Sequence, residues 1–189
     1  MRVETVVKFG GGLLAHVEHF DAALATISVA ARSRQLLIVP GGGPFADAVR
    51  DADRRLGLSD AAAHWMAVLA MDQYAHVIVE KLPGAVLVTE PRQIADALSG
   101  QPVAHIPVLA PYRWLRETDP LPHSWEVTSD SISAWVAGQV GARRLVLVKP
   151  AGATTTVTDA HFQQALPAHV TPVVITADHV DQLHEALSR

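Results

Sequence analysis

Apolar residues fall along this chain in two alternating textures, short unbroken runs and longer stretches with apolar positions three and four apart. Val3–Phe9, Gln35–Val39, Val86–Val88, His105–Val108, Leu145–Val148 and Val173–Ile175 are short and mostly β-branched, and each predicts a strand. Between them, His19–Arg32 carries Phe20, Leu24, Ile27 and Ala31 at helical spacing. Pro44, suited to a first helical turn, opens a helix to about Arg55. Ser59 is placed to cap a longer helix, Asp60 to about Glu80, with Trp65, Leu69, Tyr74 and Val77 along one side. Pro91–Leu98 predicts a turn or two of helix, Ser129 caps another to about Val140, and Asp178–Leu187 forms a closing helix. Thr118–Ser124, TDPLPHS, is the clearest loop. Strands that are apolar on both faces and alternate with helices predict an α/β fold, its mainly parallel sheet covered on both sides. With no repeat, low-complexity tract or long linker, residues 1–189 read as one domain.

Composition narrows the function classes. Hydrophobic residues make up 49% of the 189 and charged residues 18%, enough to build a core without staples. Net charge is −4 and no basic run occurs, which argues against nucleic acid or an anionic membrane surface as partner. Cysteine is absent, which removes disulfides, thiolate metal sites and a cysteine nucleophile and suits a cytoplasmic location. The opening stretch MRVETVVKFGGGLL has Glu4 and Lys8 within its apolar run and no small-residue cleavage site, so it reads as a first strand and not as a signal peptide. No segment approaches the length of a membrane span.

Three positions at strand ends carry chemistry, and strand ends are where ligands of open α/β sheets bind. Lys8-Phe9-Gly10-Gly11-Gly12 sets an ammonium beside bare backbone, a pairing suited to phosphate. Gly41-Gly42-Gly43 follows the second strand. Thr128-Ser129-Asp130-Ser131 opens a helix, where Asp130 is either a capping acid or a carboxylate aimed into the crevice. Gly41-x-Gly43-x-x-Ala46 matches a dinucleotide fingerprint, but the acid expected to end a following strand falls in helical sequence, GLSDAAAHWMAVLAM. Neither triplet continues into Gly-Lys-Ser/Thr, so a P-loop is excluded.

In order, Lys8-x-Gly10-Gly11, the strand ending in Gly41-Gly42-Gly43, and Ser129-Asp130-x-x-Ser133-Ala134 leading through GARRLVLVK resemble the amino-acid kinase family over residues 3 to 150. VPGGGPFADAVR, AHWMAVLAMDQYAH and TSDSISAW are most similar to its small subgroup acting on an aminomethylfuran phosphate in methanofuran synthesis, a part of one-carbon cofactor biosynthesis. The resemblance implies a three-layer α/β/α sandwich and phosphoryl transfer from ATP, with Mg²⁺, to a small phosphorylated or amine-bearing metabolite. It also implies a cytoplasmic homo-oligomer. Carried over by motif, Lys8 bridges the transferring phosphoryl group, Gly10 and Gly11 donate to the nucleotide phosphates, and Asp130 orients the lysines. Gly41, Gly42, Gly43 and Ser129 then face the acceptor. Asp47, Arg50 and Asp72 are added as acceptor contacts, Asp72 because it interrupts the apolar run VLAMDQYAHVIV.

The chain departs from the family pattern in three places, one of them the Asp-Gly turn usual after the Leu145–Val148 strand, where this chain has KPAGATTT. Gly12 stands where serine or asparagine is common. No lysine follows Lys149, so the second catalytic lysine is missing from its usual place and the nucleotide-binding part, about 145–189, is short. Either Lys149 supplies the second positive charge at the nucleotide phosphates, or catalysis is weakened, or the protein binds a nucleotide or phosphate without transferring it. A nicotinamide-dependent enzyme using the Gly41 turn is the further alternative. Trp65, Trp125 and Trp135 are expected in core or pocket wall. Ten histidines include no HExxH or HxH spacing, so no metal is expected on protein side chains.

Overall fold

The computed structural model describes residues 3–99, 105–154 and 158–188. Its strands are β1 (Thr5–Phe9), β2 (Leu36–Pro40), β3 (Ala85–Val88), β4 (Ile106–Leu109), β5 (Arg144–Lys149) and β6 (Thr171–Thr176). They form one sheet, parallel at every pair, in the order β3-β4-β2-β1-β5-β6. The helices are α1 (Val17–Ala30), α2 (Gly43–Leu56), α3 (Asp60–Lys81), α4 (Pro91–Ser99), α5 (Tyr112–Thr118), α6 (Ser129–Gln139), α7 (Phe162–Ala165) and α8 (Val180–Ser188). A 3-10 turn, Gly11–Ala15, follows β1.

Alternation along the strands divides the interior into two cores, as a sheet covered on both faces requires. Val6, Leu37, Val39, Leu145 and Leu147 face one side, against Ile132 and Val136 of α6, Ile94 of α4 and Phe162 of α7. Val7, Phe9, Ile38, Val146 and Val148 face the other, against Leu24 and Ile27 of α1 and Leu183 of α8. The α/β/α sandwich read from the sequence is therefore present. The long α3 serves both cores, giving Val68 and Met71 to the first and Tyr74, Ala75 and Ile78 to the second.

Lys8 shares the Val6 face of β1, the side covered by α6. β1 lies between β2 and β5, with Lys8 level with Val39 and Leu147. The carboxyl ends of β1, β2 and β5 therefore open side by side.

The helix-start chemistry follows the sequence at α3, where Ser59 Oγ accepts the Ala62 N–H at 3.3 Å, and at α2, which carries its proline in the first turn. At α6 the cap is Thr128 rather than Ser129. Two short helices were not expected from sequence, α5 and α7. α5 starts where Asp72 of α3 accepts the Tyr112 N–H at 3.0 Å, a partner forty residues away that no local pattern announces.

Candidate functional site

The site begins with Asp130 in the first turn of α6. Its side chain is 7% exposed, with Oδ1 2.9 Å from Lys8 Nζ and Oδ2 3.3 Å from Lys149 Nζ. Lys8 leaves the last turn of β1 and Lys149 ends β5, so one carboxylate spans two adjacent strands. Burial alone would raise the Asp130 carboxyl, but the Lys8 and Lys149 ammoniums outweigh it and hold the pKa below the ordinary carboxylate value. Two ammoniums therefore share one carboxylate at the carboxyl ends of β1 and β5. The Asp130 carboxylate is thus held by the two lysines, and the start of α6 is closed by Thr128 together with another acid.

That acid is Asp159, which the sequence did not single out. Asp159 Oδ2 accepts from Thr128 N at 2.9 Å, Thr128 Oγ1 at 2.7 Å and Ser131 N at 3.0 Å, and Oδ1 accepts from Ser131 Oγ. A carboxylate from after β5 therefore closes the N-terminus of α6 and frees Asp130 for the lysines.

The two glycine turns lie against each other. A Cβ on Gly11 would sit 2.1 Å from the Gly43 nitrogen, and one on Gly41 would sit 2.6 Å from the Gly11 nitrogen. Gly43 has φ +54°, a left-handed conformation that also favours glycine. Gly10 donates its N–H to Val148 O at 2.9 Å and Gly41 donates to Phe9 O at 2.8 Å. The donor role expected of Gly10 toward nucleotide phosphates is thus already taken by the β5 carbonyl, and the same holds for the Gly41 amide. Gly11 opens the 3-10 turn and Gly42 and Gly43 stand at the start of α2, positions whose amides have no carbonyl within their own helix. Those three amides carry the phosphate reading. Tyr74 hydroxyl, fully buried, donates to Gly10 O at 3.2 Å and fixes the turn from behind. Gly12, by contrast, is exposed at the rim.

A cleft opens beside Gly42, walled by α2, α3, the start of α6 and the 119–128 loop. Arg50, His64, Met71, Trp125, Thr128 and Ser129 are among its lining. Arg50 pairs with Asp47 at 2.7 Å and lies 5.0 Å over the Trp125 ring. The Trp125 indole N–H donates to Asp53 Oδ2 at 2.7 Å, tying the loop to α2. Of the residues expected at the acceptor, Arg50, Gly42 and Ser129 line this cleft, Asp47 reaches it only through Arg50, and Asp72 does not line it. Of the tryptophans, Trp125 is wall, while Trp65 and Trp135 pack against the first core.

A separate depression of about 490 Å³ lies at the opposite, amino end of β1 and β5, lined by Glu4, Arg34, Arg143 and Arg144. Arg144 donates to Ala186 O at 2.8 Å and Arg34 to Ser188 O, so those arginines anchor α8.

At α5, burial pushes the Asp72 carboxyl up to about 6, against the opposing Tyr112 N–H and His76. A carboxyl bound more tightly to its proton in the folded state costs stability as pH rises through the window from about 4 to about 6. Asp72→Asn keeps an oxygen for the Tyr112 N–H and removes the charge. Thermal unfolding at about pH 7.5 should then show a gain of ~1–2 kcal/mol that vanishes near pH 4. A gain of equal size at both pH values would place the effect elsewhere.

Among the described residues no cluster of three or more His, Asp or Glu side chains is arranged to hold a metal ion, and no helix is long and apolar enough to cross a membrane. The model of the amino acid kinase family matches residues 4–151. The (5-(aminomethyl)furan-3-yl)methyl phosphate kinase of Methanocaldococcus jannaschii is 30% identical over 142 residues, 75% of this chain, and the match spans 63% of that enzyme's length. The fold is similar to uridylate kinase from Archaeoglobus fulgidus, with a TM-score of 0.64, 15% identity and coverage of 98% of this chain and 96% of the other. UMP kinase from Bacillus anthracis superposes with a TM-score of 0.68 at 13% identity, covering 100% of this chain and 93% of that one. With its motifs gathered at the carboxyl ends of β1, β2 and β5 and the family model matched across them, the chain belongs to the amino acid kinase family.

Proposed function

We propose that this protein is an ATP-dependent kinase that phosphorylates a small phosphorylated metabolite, with an aminomethylfuran phosphate of methanofuran synthesis as its acceptor. The observation that carries this reading is Asp130 held between Lys8 and Lys149, 2.9 and 3.3 Å away, beside two touching glycine turns. The substrate assignment rests on the 30% identical archaeal enzyme. The cleft that would take such an acceptor has Trp125, Met71 and Gly42 in its lining.

In this reaction an acceptor phosphate oxygen forms a bond to the γ-phosphorus of ATP as the bond to the ADP oxygen breaks. A phosphate oxygen needs no general base, which fits a site whose one buried carboxylate is occupied by two lysines. Positioning and charge neutralisation are what remain. Lys8 and Lys149 supply the two positive charges, with Lys149 from the end of β5 taking the place of a lysine usually found later in the chain. Asp130 holds both ammoniums on the crevice side of the sheet. The amides of Gly11 and of Gly42 and Gly43 hold the phosphates of nucleotide and acceptor on either side. Asp130 is committed to the lysines and no described side chains are grouped to hold a metal ion, so magnesium would be held by the phosphates of ATP and would supply charge neutralisation there. The nucleotide lies over the ends of β5 and β6, in the short part from about 145 onward, and the protein acts as a single-domain cytoplasmic homo-oligomer.

The test is release of ADP from MgATP in the presence of the aminomethylfuran phosphate. The Lys8→Met variant should lose about a hundredfold or more in kcat while remaining folded. Full turnover by that variant would sink the mechanism. ATP and acceptor binding without ADP release would leave a ligand-binding protein, and NADH binding without ATP binding would favour the dinucleotide reading.

A further inference from the structure

The acceptor cleft contains a polar group that the reading above does not use. His64, on the second turn of α3, is 7% exposed and lines the cleft, yet among the described residues neither ring nitrogen has a hydrogen-bond partner. The ring stacks on His123 with centroids 4.6 Å apart and planes at 20°, and meets Trp65 edge-on at 4.9 Å. Neither nitrogen is among the buried atoms left without a partner, so the ring nitrogens stay open to the cleft, where a donor of the acceptor can take the place of water.

The chemistry of the walls says what that is. Arg50 and the glycine amides are donors, suited to the anionic end of the acceptor. Among the described residues no carboxylate lines the cleft, because Asp53 faces the Trp125 indole and Asp47 faces Arg50. The Thr128 hydroxyl is already spent on Asp159. A donor group at the far end of the acceptor therefore has His64 as its available ring acceptor. We infer that His64 is the specificity-determining residue of the acceptor cleft, accepting a hydrogen bond from an amine remote from the reacting phosphate. This rests on the kinase reading of the same site.

Protonation supports the assignment. Burial first, then the adjacent His123, lower the His64 pKa to about 4, with Asp119 opposing. The charged and titratable groups around the ring are His123 and Asp119 of the loop, Arg50 of α2 across the cleft, and Arg116 of α5, which lies 4.8 Å over Trp65. His64 is therefore neutral near pH 7, one nitrogen carrying a proton and the other a lone pair. A neutral imidazole accepts from an ammonium that an imidazolium would repel.

The experiment compares the aminomethylfuran phosphate with an analogue bearing methyl in place of aminomethyl, using wild type, His64→Leu and His64→Gln. Wild type should favour the amine by about tenfold to a hundredfold in kcat/KM, the range of a hydrogen bond to a charged group. His64→Leu should bring the ratio to within about threefold by weakening the amine acceptor, and His64→Gln, whose carbonyl also accepts, should restore part of it. Equal loss on both acceptors with the ratio kept would reduce His64 to packing and overturn the inference. If wild type transfers no phosphate, the kinase reading fails by itself. Calorimetry without nucleotide then reads the same ratio as Kd. A wild-type preference for the amine that His64→Leu abolishes upholds the contact, and equal affinity for the two ligands, or none for either, overturns it.

Discussion

Asp130→Ala should abolish phosphoryl transfer and weaken the fold in one step. The carboxylate stands between two ammoniums whose side chains are only 9% and 13% exposed. Without it, two like charges, Lys8 buried and Lys149 nearly so, lose the carboxylate they share. Breaking a buried pair by removing one partner costs about 3–5 kcal/mol, because the remaining charge is left uncompensated. Turnover should fall by about a thousandfold or more, since both lysines lose the group that aims them. Two controls separate the effects. Asp130→Asn keeps the shape and one oxygen acceptor, so it should fold better than the alanine variant and remain nearly inactive. Adding Lys149→Met to Asp130→Asn removes one of the two like charges and should recover stability without recovering activity, a coupling that a double-mutant cycle measures. The acid limb provides an independent check. A carboxyl with a depressed folded-state pKa contributes stability above about pH 4 that is lost on acidification below it, so the variant should show a flatter stability profile there. Turnover within tenfold of wild type in Asp130→Ala would end the proposed role.

The layers were readable from the chain because they rest on local signals, whereas the lysine–carboxylate axis, which joins β1 to the distant α6, was expected only through the family resemblance. Six apolar runs between amphipathic stretches predict a covered parallel sheet, and strand-end glycines beside Lys8 predict a phosphate crevice. What the sequence hid depends on contacts between distant segments. Asp159 lies 31 residues beyond Thr128, in a stretch without periodicity, and nothing local marks it as the cap of α6. The Asp53–Trp125 bond spans 72 residues. Asp72 was correctly singled out as a polar residue in an apolar run, but its partner proved to be a backbone N–H at α5. His64 sits in a helix rich in small apolar residues and looked like one more scattered histidine. Only the cleft shows that its nitrogens are unpaired. Positions whose role is set by a neighbour in sequence were legible, and positions whose role is set across the fold were not.

The glycine triplets illustrate the same point and yield the second large effect. Bare backbone after a strand reads as a phosphate cradle, yet here Gly11 has a prior structural demand. A Cβ there would lie 2.1 Å from Gly43 N, 2.4 Å from Gly43 Cα and 3.2 Å from Gly42 C, all backbone atoms of the turn that starts α2. No rotamer change relieves such a clash, so Gly11→Ala must push the two turns apart. The cost should reach ~3 kcal/mol or more, above the usual range for overpacking because backbone rather than side chain has to move. For a chain of this size that is a fall in Tm of about 6–12 °C. Gly12→Ala is the internal comparison, since its Cβ would meet the Cγ of the Pro150 ring, a side-chain contact at the exposed rim, and its loss should be clearly smaller. Separating the turns also moves the Gly42 and Gly43 amides away from Lys8. Surviving Gly11→Ala protein should therefore bind acceptor more weakly even at temperatures where it is folded. A variant as stable as wild type to within about 0.5 kcal/mol would show that the turns do not touch in solution. The triplets would then be bare for the ligand alone.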